Sequence, residues 1–233
     1  MYYKTEMHCH TSEVSRCANE NAKDTADKYV EAGYTTVVLT NHINSGTKYF
    51  KDDQNEDGVK YFLEGYDRFV EAADGRLNVL LGVEINFERI PCNDFLVYGM
   101  TREFLLENPD VRKMKLRDFH EMTAENGMLI VQAHPFRPGM TIINANYVDG
   151  IEVFNGHPGH ASHNDIADKW ANYYNLIKTA GTDHHNTDHP ATCGILTTEP
   201  ITTNEALTAI LKTNDYRLLC YEKPTATKPH PIN

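Results

Sequence analysis

The informative residues are histidines and carboxylates at the ends of short apolar runs. Twelve histidines stand against 22 lysines and arginines in 233 residues. His8 and His10 flank Cys9 at the close of an N-terminal run, Tyr2–His8. His42 ends Val37-Val38-Leu39-Thr40-Asn41-His42, and Glu84 ends Val79-Leu80-Leu81-Gly82-Val83-Glu84. His134 ends Leu129-Ile130-Val131-Gln132-Ala133-His134, with Pro135 behind it. Asn155 follows Ile151-Glu152-Val153-Phe154, while Asp183 and His185 follow Leu176–Gly181. Side chains two apart in a strand share a face, so His8 and His10 can converge on one point. Singly each residue is weak evidence, since a strand-end carboxylate is usually just solvated. Repeated at successive strand ends, they point to a metal site. Imidazole and carboxylate without thiolate suit Zn, Mn or Fe; Ca and Mg prefer all-oxygen sites.

Such a cluster needs elements that bring strand ends together. Helical patterns cover Asp24–Ala32 (stopped by Gly33), Tyr61–Ala73, Leu116–Asn126, Asn164–Tyr174 and Asn204–Lys212. Between them lie strand-like runs at Thr35–Thr40, Leu77–Ile85, Phe95–Tyr98, Met128–Ala133, Gly150–Phe154 and Leu176–Thr179. Strands alternating with helices predict right-handed crossovers and a mainly parallel sheet, here in about seven units. No linker interrupts them, so one α/β domain over residues 1–233, a single distorted barrel, is the economical expectation. An open doubly wound sheet is the alternative. In a parallel barrel the C-terminal strand ends open on one face, which is where the metal site is expected. The polar stretch 44–58, with Lys48, Tyr49, Phe50 and Lys51, is expected to be a loop over that mouth that sets selectivity. Residues from about 220 onward, with Pro224, Pro229 and Pro231, read as a loose tail.

Composition removes several classes. The net charge of −11 argues against long nucleic acid and anionic membranes as partners. No apolar run is long enough to span a bilayer, and Met1–His8 lacks an apolar leader, so a cytoplasmic location is the expectation. Five cysteines (Cys9, Cys17, Cys92, Cys193, Cys220), none in a Cys-x-x-Cys pair, predict neither a disulfide framework nor a thiolate zinc site. Glycine-rich phosphate loops are absent.

The order of the segments resembles a known family. Glu6-Met7-His8-Cys9-His10-Thr11, Thr40-Asn41-His42, Gly82-Val83-Glu84, Ala133-His134-Pro135, Glu152-Val153-Phe154-Asn155 and Gly181-Thr182-Asp183-His184-His185 are similar to the motifs of the polymerase and histidinol phosphatase (PHP) superfamily. The resemblance spans residues 6–185. It implies a distorted (β/α)7 TIM-like barrel with two or three divalent metal ions. By that analogy His8, His10, Glu84 and Asp183 hold one metal. Glu84 bridges to a second, also held by His134, while His42 and His185 serve a third.

This chain departs from the family pattern in places. Glu6 and Asn41 stand where the family has Asp. A Ser-Asp-Gly commonly follows the first motif, and its Asp helps bind the third metal; here the residues are Ser15-Arg16-Cys17. Arginine cannot ligate a metal. Either the site holds two metals, or Cys17 or Glu13 substitutes, or Arg16 grips a substrate phosphate. Asp94 is a candidate for a ligand to the second metal that is usually histidine. Arg137 is the second candidate for phosphate binding, while His157 and His184 are candidates for proton donation, as is a metal-bound water.

The resemblance implies a metal-dependent phosphoesterase using a metal-bound hydroxide. Its expected substrate is a small phosphomonoester, a nucleotide or a short oligonucleotide. An amidohydrolase-like C–N or lactone hydrolase and a non-catalytic metal-binding scaffold are the alternatives. Asp183-His184-His185 also echoes the DHH phosphoesterases, but their upstream Asp-x-Asp motif is missing from the N-terminal region.

Overall fold

The computed structural model describes residues 2–45, 47 and 55–220. Strand β1 (Tyr3–Cys9) leads to α1 (Ala22–Glu31), which starts on an Asn21 side chain accepting from the Asp24 N–H. The chain continues through β2 (Tyr34–Leu39), the two-residue β3 (His42–Ile43) and α2 (Asn55–Ala73). It then forms β4 (Asn78–Leu81), β5 (Val83–Asn86) and β6 (Asp94–Tyr98). Helices α3 (Arg102–Glu107) and α4 (Leu116–Glu125) precede β7 (Leu129–Gln132). Strand β8 (Gly150–Asn155), α5 (Asn164–Tyr174) and β9 (Ile177–Gly181) follow. Last come β10 (Gly194–Thr197), α6 (Asn204–Thr213) and β11 (Arg217–Leu219).

The strands form two sheets, β11-β10-β1-β2-β4 and β3-β5-β6-β7-β8-β9. Their ladders do not close into a barrel among the described residues. The expectation of a (β/α)7 barrel is corrected to a mixed α/β fold with parallel sheets, compatible with a TIM-like arrangement. Two local facts explain the difference. The β7–β8 connection carries only a 3₁₀ turn at Ala145–Tyr147 and no crossover helix, and Pro135 and Pro138 lie within it. Strand β6 runs antiparallel to both β5 and β7. Its N-terminus, Asp94, therefore sits beside the C-terminal end of β5, opposite Asn86.

The sheets meet at two places. The run expected at Leu77–Ile85 divides at Gly82, where a Cβ would meet Val38 Cγ1 at 2.8 Å. Beyond β9, the His184 N–H donates to the His8 carbonyl and the His10 N–H to the His184 carbonyl, at 3.2 and 3.0 Å. Apolar side chains such as Phe62, Phe87, Phe95 and Phe119 fill the largest core cluster. Phe87 meets Phe95 and Phe119 edge-on at centroid distances of 5.5 and 5.2 Å.

Helix α2 begins at Asn55 where Tyr61 was expected, and its first turn holds Glu56 and Asp57, which suit the positive end of a helix. Lys48, Tyr49, Phe50 and Lys51, and the tail with Pro224, Pro229 and Pro231, lie outside the described residues. No helix among those described is long and apolar enough to cross a membrane.

The closest packing at the sheet junction is at Gly181. A Cβ there would lie 2.3 Å from His8 Cβ and 3.0 Å from the His8 nitrogen. Gly181→Ala is expected to lower the unfolding free energy by about 1–3 kcal/mol, the usual cost of overpacking. Urea denaturation measures this, and an unchanged midpoint would contradict the β1–β9 packing.

Candidate metal centre

Glu84 is the centre of the site. It is buried in β5, paired across the ladder with His42 of β3. Its Oε2 lies 3.3 Å from His8 Nε2, 3.1 Å from His10 Nε2 and 3.1 Å from His42 Nδ1. The other oxygen, Oε1, lies 3.2 Å from His134 Nε2. Asp183 Oδ1 approaches His8 and His10 at 3.4 and 3.6 Å, and His185 Nδ1 at 3.3 Å. Thus side chains from three other segments converge on Glu84, and a fourth brings Asp183 and His185 against them.

The hydrogen-bond accounting shows what the cluster fits. His8 Nε2, His10 Nε2, His42 Nδ1 and Glu84 Oε2 are buried and have no hydrogen-bond partner. Such orphaned atoms are costly unless something satisfies them. Ligand atoms about 2.0–2.1 Å from a shared dication stand about 3–3.4 Å apart, the spacing found here. Three triads bring ligand atoms within 4.8 Å of one another around this centre: His8/Glu84/His134, His8/His10/Asp183 and His10/His42/His185. The donor set therefore fits divalent metal ions.

An outer ring of polar groups orients the inner one. His8 Nδ1 faces Glu152 Oε1 at 2.9 Å, the carboxylate–imidazole pairing that turns the opposite nitrogen towards a metal. Glu152 Oε2 also accepts from the His134 N–H and from Asn155 Nδ2, which in turn donates to Asp183 Oδ2. Glu6 accepts from the N–H groups of Met7, His8 and Thr182 and from the Thr182 and Tyr29 hydroxyls. Burial nevertheless pushes the Glu6 carboxyl up to about 7. Sequence reasoning did not assign roles to Glu6, Glu152 or Asn155. Their signal is a carboxylate or amide inside an otherwise apolar strand, buried where solvation is unavailable.

Two inner residues hold left-handed backbone, His134 with φ of 30° and Asp183 with φ of 52°. Non-glycine residues there are strained and concentrate at functional sites. The turn at each strand end swings the side chain inward.

Electrostatics follow from the packing. Burial alone would raise Glu84 and Asp183. The neighbouring imidazoles, led by His8, outweigh it and hold both carboxyls well below the usual range. Burial would lower His8, but Asp183, Glu152 and Glu84 raise it well above its ordinary value. His134 is raised likewise by Glu84, against the pull of burial. His10 is pushed well down by burial and by His185 and His42.

A cavity of about 240 Å³ opens over this centre and is lined by His42, Glu84, His134, Asp183 and His185. Arg137, Cys17, His157 and His160 complete its mouth. Arg137 stands 3.7 Å from Asp94 and 3.9 Å from Asp183, too far for hydrogen bonds. His157 Nδ1 accepts from the Gly159 N–H, and burial lowers this imidazole to about 4. It is neutral at pH 7 and carries its proton on Nε2.

Three expected residues lie elsewhere. Asp94 joins none of the triads; it accepts from Asn86 Nδ2 and stands beside Arg137. Arg16 is exposed and does not line the cavity, because the turn after Ser15 brings Cys17 to that face. His184 points away from the centre, with Nε2 on Glu20, which also pairs with Lys28. The site's geometry thus leaves His184 no path to a bound substrate. Asp183, in left-handed backbone beyond β9, and His185 face the centre, while His184 faces Glu20. His189, not singled out from sequence, approaches the rim and accepts from the His185 N–H through Nδ1.

No family model matches the sequence, and no curated protein does. Solved structures share the fold. One is a two-domain protein from Bacteroides vulgatus containing a predicted PHP-like metal-dependent phosphoesterase, 15% identical, with a TM-score of 0.66. The match covers 95% of this chain and 65% of the Bacteroides chain, so this chain spans about two thirds of that protein. A Bifidobacterium adolescentis protein, also named for a metal-dependent phosphoesterase on prediction, is 16% identical with a TM-score of 0.53. That match covers 90% of this chain and 96% of the other. An amidohydrolase from Chromobacterium violaceum, solved with bound sulfate and no metal, is 14% identical with a TM-score of 0.53. It is covered to 98%, against 92% of this chain. At these identities the likeness shows the fold.

The centre predicts metal-linked stability. Zn²⁺ or Mn²⁺ at about 100 times its dissociation constant stabilises a one-site protein by about 2.7 kcal/mol, or roughly 5–10 °C in Tm at this size. Scanning calorimetry of chelated protein with and without metal measures this, and Glu84→Ala should reduce the shift. The shift should also shrink as pH falls, because His8 and His134, both raised, hold protons that the metal must displace. A shift of equal size in Glu84→Ala would contradict the assignment.

Proposed function

We propose that the chain is a metal-dependent phosphoesterase acting on a small phosphomonoester or nucleotide. The observation that carries this is Glu84, a buried carboxylate met by four imidazole nitrogens at 3.1–3.3 Å, three of them without hydrogen bonds. His8, His10, Glu84 and Asp183 would hold one ion, and Glu84 with His134 a second. His42 and His185 belong to a third subsite. Divalent ions supply Lewis acidity and make water nucleophilic at neutral pH.

The remaining chemistry belongs to the side chains. Arg137 has a planar fork suited to phosphate oxygens, and its long contacts to Asp94 and Asp183 leave its donors directed at the cavity. His157 presents a neutral Nε2–H at the mouth, where it can hydrogen-bond a substrate oxygen. As a neutral imidazole it is a poor proton donor at pH 7, so it is better suited to orienting the ligand. Glu152 and Asn155 keep His8 and Asp183 in place. A cavity of about 240 Å³ suits a phosphate group and part of its leaving group, and the −11 net charge disfavours long nucleic acid.

The second reading, a C–N or lactone hydrolase, gains support from the shared fold of the Chromobacterium amidohydrolase. The same donor set would polarise a carbonyl.

Phosphate release separates them. Protein loaded with Mn²⁺ or Zn²⁺ should release phosphate from at least one of histidinol phosphate, nucleoside monophosphates, phosphotyrosine and short oligonucleotides. A chelated control should not. His134→Ala should lower turnover by about 100-fold or more with the circular dichroism spectrum unchanged. Silence across the panel from folded, metal-loaded protein would overturn the phosphoesterase reading, and hydrolysis of an amide or lactone panel would establish the second.

A further inference from the structure

The resemblance leads one to expect a carboxylate from the Ser15-Arg16-Cys17 segment at the third subsite, and the structure places a sulfur there. Ser15 is pinned by its hydroxyl, which donates to Asn41 Oδ1 at 2.8 Å and accepts from the His42 N–H at 3.1 Å. The Ala18 N–H then closes a turn onto the Ser15 carbonyl, and the Asn19 N–H is tied to the His185 carbonyl at 2.7 Å. Between these fixed points Arg16 faces solvent, while Cys17 lines the cavity. Its Sγ lies 3.1 Å from His185 Nε2.

The nitrogen opposite that sulfur has a defined state. His185 Nδ1 lies 2.9 Å from the Asp183 carbonyl, which can only accept, so the ring proton sits on Nδ1. Nε2 then carries the lone pair and is directed at Cys17, the orientation that a backbone carbonyl gives to a metal-ligating histidine. His42 completes the surroundings, with a ligand atom within 4.8 Å of one of His185. His42 Nδ1 is buried and has no hydrogen-bond partner. Sulfur and nitrogen ligands on one dication, with bonds of about 2.3 and 2.0–2.1 Å, stand about 3.1–3.6 Å apart.

We propose that Cys17 is a thiolate ligand of the third subsite, which it forms with His185 and His42. The subsite is thereby of mixed sulfur and nitrogen type and takes a borderline-soft dication such as Zn²⁺ or Co²⁺ in preference to Mg²⁺ or Ca²⁺. Ligation breaks the S–H bond and forms a metal–sulfur bond, and the proton leaves to solvent. The proposal rests on the metal-centre reading but not on the identity of the substrate.

Cobalt(II) tests it, because thiolate ligation gives a near-ultraviolet charge-transfer band that imidazole and carboxylate do not. Chelated full-length protein reconstituted with Co²⁺ should show the band. Cys17→Ser should lose the band and one equivalent of bound cobalt, measured by equilibrium dialysis and elemental analysis. Cys17→Asp should recover the equivalent without the band. Thermal melting of each variant shows that the fold is kept. Cobalt binding without the band, or a band that survives in Cys17→Ser, overturns the role of Cys17 and leaves the Glu84 centre standing. No cobalt binding at all overturns both.

Discussion

A buried carboxylate that must not be left alone governs this molecule. Taking Glu84 out of water carries an electrostatic cost of several kcal/mol, and among the described residues no lysine or arginine is an ion-pair partner of it. Its compensation comes from imidazoles, which are charged only conditionally and whose lone pairs serve equally well towards a cation. A salt-bridged core would use fixed charges. A cluster of titratable imidazoles around paired carboxylates is instead a cage whose stability depends on what enters it. The orphaned nitrogens of His8, His10 and His42 express the same constraint from the other side.

The fold serves that cage by bringing strand ends together more than by closing a barrel. Two sheets meet where β1 passes β9, and the approach is close enough that position 181 has no room for a Cβ. The antiparallel β6 delivers its first residue, Asp94, to the end where its parallel neighbours deliver their last. Left-handed turns at His134 and Asp183 convert strand direction into inward side chains. Two of these devices cost local stability: close packing and backbone strain. All three gather at one end of the sheets, the distribution expected when strain is kept where it is functional.

Much of this was legible in the sequence because strand-end position is a one-dimensional property. The metal-ligating residue types fell at the ends of apolar runs, and the structure places His8, His10, His42, Glu84, His134, Asp183 and His185 together. Helix α5 was expected at the bounds observed, since its apolar period and flanking polar residues agree. What escaped was relational. Periodicity carries no strand direction, so β6 was taken as parallel. Short strands such as β3, β10 and β11 have too few residues for a pattern. Composition cannot distinguish a polar loop from the acidic first turn of α2. His184, a candidate for proton donation from the sequence, lies between Asp183 and His185 and turns to Glu20 instead.

The outer ring explains why buried polar residues here outnumber the metal-ligand candidates. Glu6, Glu152 and Glu20 lie behind the centre, each beside a residue of the histidine-bearing segments, and none lines the cavity. A ligand imidazole has two nitrogens, and one of them must be satisfied within the protein before the other is set for a metal. His8 uses Glu152 for this, His185 the Asp183 carbonyl and His10 the Ser15 hydroxyl. These partners differ in charge. The Glu152 carboxylate makes His8 the more basic and more strongly donating ligand. His8 thus stands at the deep, carboxylate-rich end of the site, while Cys17 and Arg137 line its mouth, where an incoming anion first meets the protein.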